Sequence, residues 1–328
     1  MKMAIRNYED RDLEALVELI NAADAVDQLD QGTNVSEFRE VLHHPDSDPY
    51  HDAVVALSED RRLVGHSRLN LVAAPLQSRL YVHSVVHPDW RDQGVERAML
   101  EQLWHRAEER RRTLGSRTVQ FRTYCAAFQD KRVALFEELG LQPVRYDLHM
   151  VYRPLDNLAE PRIPPGIDVR PFARGLDNEA ALGTVNEAFA DVMDHAPVTL
   201  EEFDHWIESP SFQANLSPVA LDGQYVVGLC LCTVSEGRAR VLGRRDGYVD
   251  TLCVISAYRR RGLGSALLLT CLRALQKAGL ESATLDASTD NPTEAIHLYE
   301  QAGFQEAWRW VTYGKEMGPE TTLAPHPR

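Results

Sequence analysis

No stretch of the 328-residue chain approaches the ~20 consecutive apolar residues of a membrane-spanning helix. The start, MKMAIRNYEDRDLEAL, lacks the apolar segment of a secretory signal. The sequence therefore predicts a cytoplasmic protein without membrane partners. Cysteine is scarce. Cys125, Cys230, Cys232, Cys253 and Cys271 each lie inside an apolar or strand-like run. An odd number without framework spacing argues against a disulfide scaffold and fits reduced thiols. Cys230 and Cys232 would share one face of a strand, as small buried hydrophobes. Basic residues are also in deficit: 35 Lys and Arg against 49 Asp and Glu, a net charge of −14. That argues against a nucleic-acid partner, which needs clustered cations. It favours a cationic acceptor such as an amine. The twelve histidines show no metal spacing. His43 and His44 are adjacent, and His83 and His87 read as packed or solvated imidazoles, so no metal is expected.

Two common phosphate fingerprints are missing as well. Neither G-x-G-x-x-G nor G-x-x-x-x-G-K-[ST] occurs. What is present is Arg259-Arg260-Arg261-Gly262-Leu263-Gly264. The run before it, YVDTLCVI from Tyr248 to Ile255, is strand-like. The run after it, SALLLTCLRAL from Ser265 to Leu275, has helical composition and length. A glycine-bearing turn that opens a helix leaves several backbone N–H groups without intrahelical partners, which suits a pyrophosphate. Glycine lets a ligand approach without a Cβ in the way. A βα turn whose glycines serve packing alone would read the same.

The R-x-x-G-x-G spacing resembles the acetyl-CoA pyrophosphate motif of the GNAT (GCN5-related) N-acetyltransferase family. A second feature follows, after a strand-like LDAS run. Residues 291–304, NPTEAIHLYEQAGF, are similar to that family's N-x-x-A-x-x-L-Y-x-x-x-G-F segment.

The plan of the chain runs twice. Ala4-Ile5-Arg6 and Asp168-Val169-Arg170 each open a half, and each is followed by an alanine-rich helix. Arg91-Asp92-Gln93-Gly94 stands where Arg259 to Gly262 stands. The offset is 164 at Arg6 and Arg170, 168 at Arg91 and Arg259, and 163 at Gly140 and Gly303. A near-constant offset marks duplication. The expected division is an N-terminal domain over 1–152, a proline-rich linker over 153–166, a C-terminal domain over 167–317 and a flexible tail over 318–328. Alternating strands and helices with central hairpins imply an α/β fold. Each half should be a mixed, partly antiparallel sheet with helices on both faces. The resemblance implies two tandem GNAT-like domains, each with two parallel strands that splay apart to admit a cofactor.

Three chemically demanding positions differ between the halves. Gly264 corresponds to Glu96, Asp250 to Val82 and Tyr299 to Phe136. A carboxylate facing a diphosphate is unfavourable. The first half therefore reads as a degenerate copy and the second as the catalytic one.

The resemblance implies acetyl-CoA as co-substrate and a primary amine as acceptor, joined by direct attack in a ternary complex. Backbone groups of Arg259, Arg260, Arg261, Gly262, Leu263 and Gly264 would hold the pyrophosphate. The strand backbone at Leu252, Cys253 and Val254 would pair with the pantetheine amides. Asn291 would cap the following helix or touch the cofactor. Tyr299 stands where the family places the hydroxyl that meets the CoA sulfur; a core aromatic is the competing reading. Asp250 would take a proton from the amine, or be a solvated strand-end acid. His297, two residues before Tyr299, would point away from it on a helix. The segment Ala188 to Phe212 would line the acceptor cleft with Asp191, Asp194, His195, Glu201, Glu202, Asp204 and His205, unless it is a solvated helix face. The composition says nothing of oligomeric state. The alternative function is a non-catalytic acyl-CoA-binding sensor.

Overall fold

The computed structural model describes residues 3–45, 47–74, 76–115, 118–192, 196–290, 295–319 and 321–324. In chain order the elements begin β1 (Ala4–Asn7), α1 (Leu13–Asp27), α2 (Val35–Leu42), α3 (Pro49–Asp52), β2 (Ala53–Leu57), β3 (Leu63–Val72) and β4 (Gln77–Val86). Next come α4 (Val95–Thr113), β5 (Thr118–Ala126), α5 (Asp130–Glu138) and β6 (Gln142–Tyr152). The second half holds β7 (Asp168–Pro171), α6 (Asn178–Phe189), α7 (Leu200–Glu208), β8 (Pro218–Asp222), β9 (Tyr225–Thr233), α8 (Glu236–Leu242) and β10 (Asp246–Val254). It closes with α9 (Leu263–Lys277), β11 (Ser282–Ser288), α10 (Ala295–Ala302) and β12 (Gln305–Glu316).

These elements form two compact units. Unit 1 comprises Met1–Tyr146 with Arg309–Arg328, and unit 2 comprises Asp147–Trp308. The sheet of unit 1 has the order β1-β2-β3-β4-β5-β12. Only its β4–β5 pair is parallel. The sheet of unit 2 has the order β6-β11-β10-β9-β8-β7, and only its β10–β11 pair is parallel. The expected α/β fold with two mixed sheets is what the chain adopts.

The units differ from a linear division in their last strands. Residues 310–316 of β12 pair with β5, and residues 147–152 of β6 pair with β11. Side-chain alternation explains the exchange. Val311 and Tyr313 enter the core of unit 1, while Leu148 and Met150 enter that of unit 2. The proline-rich stretch 153–166 is also tied down. Leu155 is buried in the unit 2 core, its N–H donates to Glu281 O (3.1 Å) and its carbonyl accepts from Gln276 Nε2 (2.6 Å). The expectation of a flexible tail is corrected for its described part: Leu323 is buried in the unit 1 core and Ala324 N donates to Leu139 O at 3.1 Å.

The sheet of unit 2 is covered on both faces, and its central strand β9, YVVGLCLCT, is accordingly apolar along nearly its whole length. On β9, Cys230 and Cys232 face the α9 side, while Leu229 and Leu231 face the α6 and α7 side. Helix α9 meets the sheet through Leu263, Leu267, Cys271, Leu272 and Leu275, a spacing that makes one helical stripe. All five cysteines are free and buried.

The duplication extends to individual bonds. Arg6 grips Asp12 with two bonds of 2.7 and 2.6 Å, and Arg170 grips Asp177 with the same pair of lengths. Asn21 bonds both backbone groups of Thr33 across a loop, by donating to its carbonyl and accepting from its N–H. Asn186 does the same to Val198. The turns match too. Asp92 and Gly94 have φ of +61° and +77°, and Arg260 and Gly262 have +60° and +81°.

Candidate active site

The site in unit 2 begins where two strands part. Parallel pairing between β10 and β11 runs from Asp246↔Ser282 to Tyr248↔Thr284 and stops. Beyond it, Val249 to Val254 pair only with β9, which leaves the other edge of the strand open. Leu252, Cys253 and Val254 lie on this edge. In unit 1 the equivalent pairing continues to Val82↔Thr123, one residue further along the strand than Tyr81, which stands opposite Asn70 as Tyr248 stands opposite Thr233.

After β10 a short 3₁₀ turn, Ser256–Tyr258, leads to Gly262, which caps α9 in the left-handed region that glycine favours. The first turn of α9 carries no side-chain cap. Among the described residues, the N–H groups of Arg261, Gly262, Leu263, Gly264 and Ser265 meet no acceptor. They form an anion-binding row at the positive end of a helix. A Cβ at Gly264 would lie 3.3 Å from Leu298 Cδ1, so glycine keeps the space between α9 and α10 narrow. The Arg259 side chain serves as scaffold, donating to Val254 O (3.0 Å) and Ala188 O (2.6 Å). Arg261 packs over the Tyr258 ring at 5.2 Å. Asn291 lies outside the described residues, as do Asp194 and His195.

Tyr299 sits on α10, buried with 8% of its surface exposed, edge-on to Phe304 at 6.1 Å. Among the described residues its hydroxyl makes no hydrogen bond. Burial beside Cys230 and Cys253 pushes its pKa up, so it holds its proton at any physiological pH. His297 is exposed and bonds Gln301 (2.8 Å).

Asp250 occupies the irregular step between Val249 and Thr251 on β10. The bulge re-aims its side chain. Water reaches this carboxylate, but the protein around it removes much of its hydration. That desolvation pushes its pKa up to about 6; the Trp206 hydrogen bond opposes the shift and the nearby charge of Asp286 adds to it. Trp206 Nε1–H donates to Asp250 Oδ2 at 2.8 Å. Asp286, on β11, is fixed by the Tyr248 hydroxyl (2.9 Å) and by His149 Nδ1 (2.8 Å). His149 in turn stacks on Trp308, with ring centroids 4.0 Å apart. Two solvent-accessible carboxylates thus stand among aromatic rings, an arrangement suited to a cationic amine.

Trp206, Tyr248, Asp286 and His149 carry no motif that singles them out in the sequence. Asp286 had a signal, as the one acid within the LDAS strand. The acidic segment expected to line the cleft is used differently. Glu202 closes a capping box with Thr199 at the start of α7, and Asp204 accepts from Asn178 Nδ2 at 2.8 Å. Asp191 and Glu201 are exposed.

The equivalent place in unit 1 is filled. Glu96, at the position of Gly264, forms an ion pair with Arg132 at 2.8 Å. Arg132 also donates to Ser84 O (3.4 Å) and lies 5.4 Å over the Phe136 ring. Ser84 corresponds to Leu252 and Phe136 to Tyr299. A guanidinium therefore occupies the region where unit 2 has an open strand edge.

Among the described residues no group of His, Cys, Asp or Glu could hold a metal ion. No helix among them is long and apolar enough to cross a membrane.

Comparisons with known proteins agree with this geometry. Residues 184–304 match the Acetyltransferase (GNAT) family. A mycothiol acetyltransferase from Nocardiopsis dassonvillei is 30% identical over 88% of each chain. A GCN5-related N-acetyltransferase from Sphaerobacter thermophilus shares the fold with a TM-score of 0.74, at 24% identity over 98% of each chain. A tandem GNAT protein of the clavulanic acid biosynthesis pathway does so with a TM-score of 0.70, at 18% identity over 98% of this chain and all of its own. The chain belongs to the GNAT family of acetyltransferases, in its tandem-domain form.

Proposed function

We propose that unit 2 transfers an acetyl group from acetyl-CoA to a primary amine by direct attack, with both substrates bound together. The observation that carries this reading is the open edge of β10, bounded by the unpaired N–H row of α9 and by Tyr299. The N–H groups from Arg261 to Ser265 would hold the pyrophosphate. Leu252, Cys253 and Val254 would bond the pantetheine amides. Asn291 remains a candidate cofactor contact or helix cap. Unit 1 would be the degenerate copy, since the Glu96–Arg132 pair occupies the matching gap.

Asp250, with a pKa of about 6, is ionised at neutral pH and close enough to neutrality to act as a base. It takes one proton from the ammonium group. The neutral amine attacks the thioester carbonyl, the C–N bond forms and the C–S bond breaks. Tyr299 gives its proton to the departing thiolate. The second proton of the nitrogen leaves through water and restores the tyrosine. The products are an amide, free CoA and one released proton.

The name of the Nocardiopsis relative gives a mycothiol-type acceptor first place among the amines to test. The buried, reduced cysteines fit work in the cytoplasm. The test is CoA thiol release over a panel of amines that includes amino sugars, cysteinyl conjugates and peptide N-termini. Release with one class of amine is the expected result. No release above background from any of them would replace the enzyme reading with a non-catalytic acyl-CoA sensor.

A further inference from the structure

Unit 1 contains a second polar cluster that the transfer reaction does not use. It lies on the sheet face covered by α1 and α2, where Arg68 of β3 stands directly opposite His83 of β4. The matching positions of unit 2 are Leu231 opposite Thr251. His66, two residues before Arg68, matches Leu229. Both leucines are fully buried core residues. One copy of the fold therefore has an apolar floor where the other has a cation flanked by two imidazoles.

Arg68 is half-buried, and its guanidinium donates to Asn70 Oδ1. It makes no ion pair among the described residues. Desolvation lowers its pKa to about 10. The histidines offer no compensation. Burial holds His66 down to about 3 and His83 well below its usual range, so both are neutral. His66 Nδ1 is engaged by Val54 O at 3.0 Å. His83 Nδ1 shares a proton with the Tyr124 hydroxyl at 3.0 Å, which leaves Nε2 as its remaining polar atom. The edge of Trp310 closes on Tyr124 at 5.5 Å. Arg68, Asn70, His83, Tyr124 and Trp310 are all partly open to solvent.

A desolvated cation without a counter-charge is unfavourable in the free protein. An apolar floor, as in unit 2, would serve the fold better. We propose that this partly exposed cluster of unit 1 binds a small-molecule carboxylate, held by the Arg68 guanidinium and by His83 beside Tyr124. The charge balance selects the ligand class. One fixed positive charge among neutral donors matches a monoanion, and a planar guanidinium fork matches the two oxygens of a carboxylate. The site is independent of the transfer chemistry of unit 2.

Thermal unfolding of the full chain tests it, with sodium acetate, propionate and lactate compared against sodium chloride at equal ionic strength. The midpoint should rise along a saturating curve, by about 3–6 °C at ten times the half-saturating concentration. Arg68→Met should abolish the dependence. In chloride it should melt at or above the wild-type temperature, because a partly desolvated charge without a counter-ion is gone. Arg68→Lys should weaken the effect about tenfold, since it keeps the charge and loses the fork. If Arg68→Met does not fold, the wild-type titration and Arg68→Lys decide. The proposal is overturned if no carboxylate saturates above chloride, if the effect persists without Arg68, or if inorganic phosphate saturates in place of carboxylates.

Discussion

Trp206→Phe should move the acidic limb of the pH–rate profile upward. In the wild type the limb of kcat/KM should lie near pH 6, the pKa of Asp250. The indole N–H donates to Asp250 at 2.8 Å and so favours the ionised carboxylate. A hydrogen bond to a charged group is worth ~1.5–3 kcal/mol when sheltered. Water reaches Asp250 and would replace part of the lost bond, which leaves about 1 kcal/mol. That corresponds to roughly 0.7 pH unit, toward higher pH. Phenylalanine keeps the edge-on packing against Phe203, whose ring lies 5.7 Å away, so the backbone of α7 should hold. Asp286→Asn should act in the opposite direction, because it removes a neighbouring negative charge that raises the Asp250 pKa. The assay is initial-rate CoA release between about pH 5 and 9 with the best acceptor. Titration of the free amine affects all three proteins equally and cancels in the comparison. An unmoved limb in Trp206→Phe, or shifts of one sign in both variants, would remove Asp250 from the role of base.

Other predictions rest on separate parts of the site. Tyr299→Phe, which reproduces the ring at Phe136, should lower kcat by ~10²–10⁴ with CoA affinity little changed; saturating single-turnover kinetics would show otherwise. Calorimetric titration with CoA should give one site per chain, and Gly264→Glu should lose it. There a carboxylate would face the pyrophosphate with Ala295 in the place of Arg132. Two equivalent sites would refute the reading of unit 1. Asp250→Asn should raise the unfolding temperature above about pH 6 and leave it unchanged below about pH 4. The folded-state pKa is raised, so with rising pH the unfolded chain ionises first; the cost to the fold grows from there and is complete once the pH passes the folded value. A gain confined to acid pH would contradict the sign.

The turn at Arg259 to Gly264, Tyr299 and Asp250 were legible because each sits at a fixed distance along one local element. The surroundings of Asp250 were not, because they assemble from distant segments. In the 188–212 segment eight charged or histidine positions stand out, yet the side chain that reaches Asp250 is an indole. That outcome depends on packing: Phe203 and Ile207 are buried, which anchors α7 and leaves Trp206 at the margin of the cleft. The exchange of final strands was hidden for a similar reason. Both β6 and β12 carry alternating apolar residues, and nothing local states which sheet each will join. The tail over 318–328 looked too polar to dock, but the single residue Leu323 finds the unit 1 core.

The duplication separates scaffold from chemistry within one chain. What both units keep is structural: the Arg6–Asp12 and Arg170–Asp177 grips, the Asn21 and Asn186 loop ties, and the left-handed glycine before the long helix. Arg259 belongs to this group. Arg91, its counterpart, donates to Val86 O (3.4 Å) as Arg259 does to Val254 O, and it holds Asp27 at the end of α1 by 2.7 and 2.8 Å bonds. It does so in a unit whose gap is filled by an ion pair. A side chain that keeps the same bond in both units is serving the fold, so on the proposed reading the R-x-x-G-x-G motif leaves the ligand to the backbone. The positions that differ, Gly264 against Glu96 and Tyr299 against Phe136, together with Asp250, the extra residue of a β10 bulge that β4 lacks, so that Val82 matches Val249 and not Asp250, are those assigned to phosphate, thiolate and ammonium. In the opposite direction, Arg68 and His66 stand where unit 2 has the buried Leu231 and Leu229.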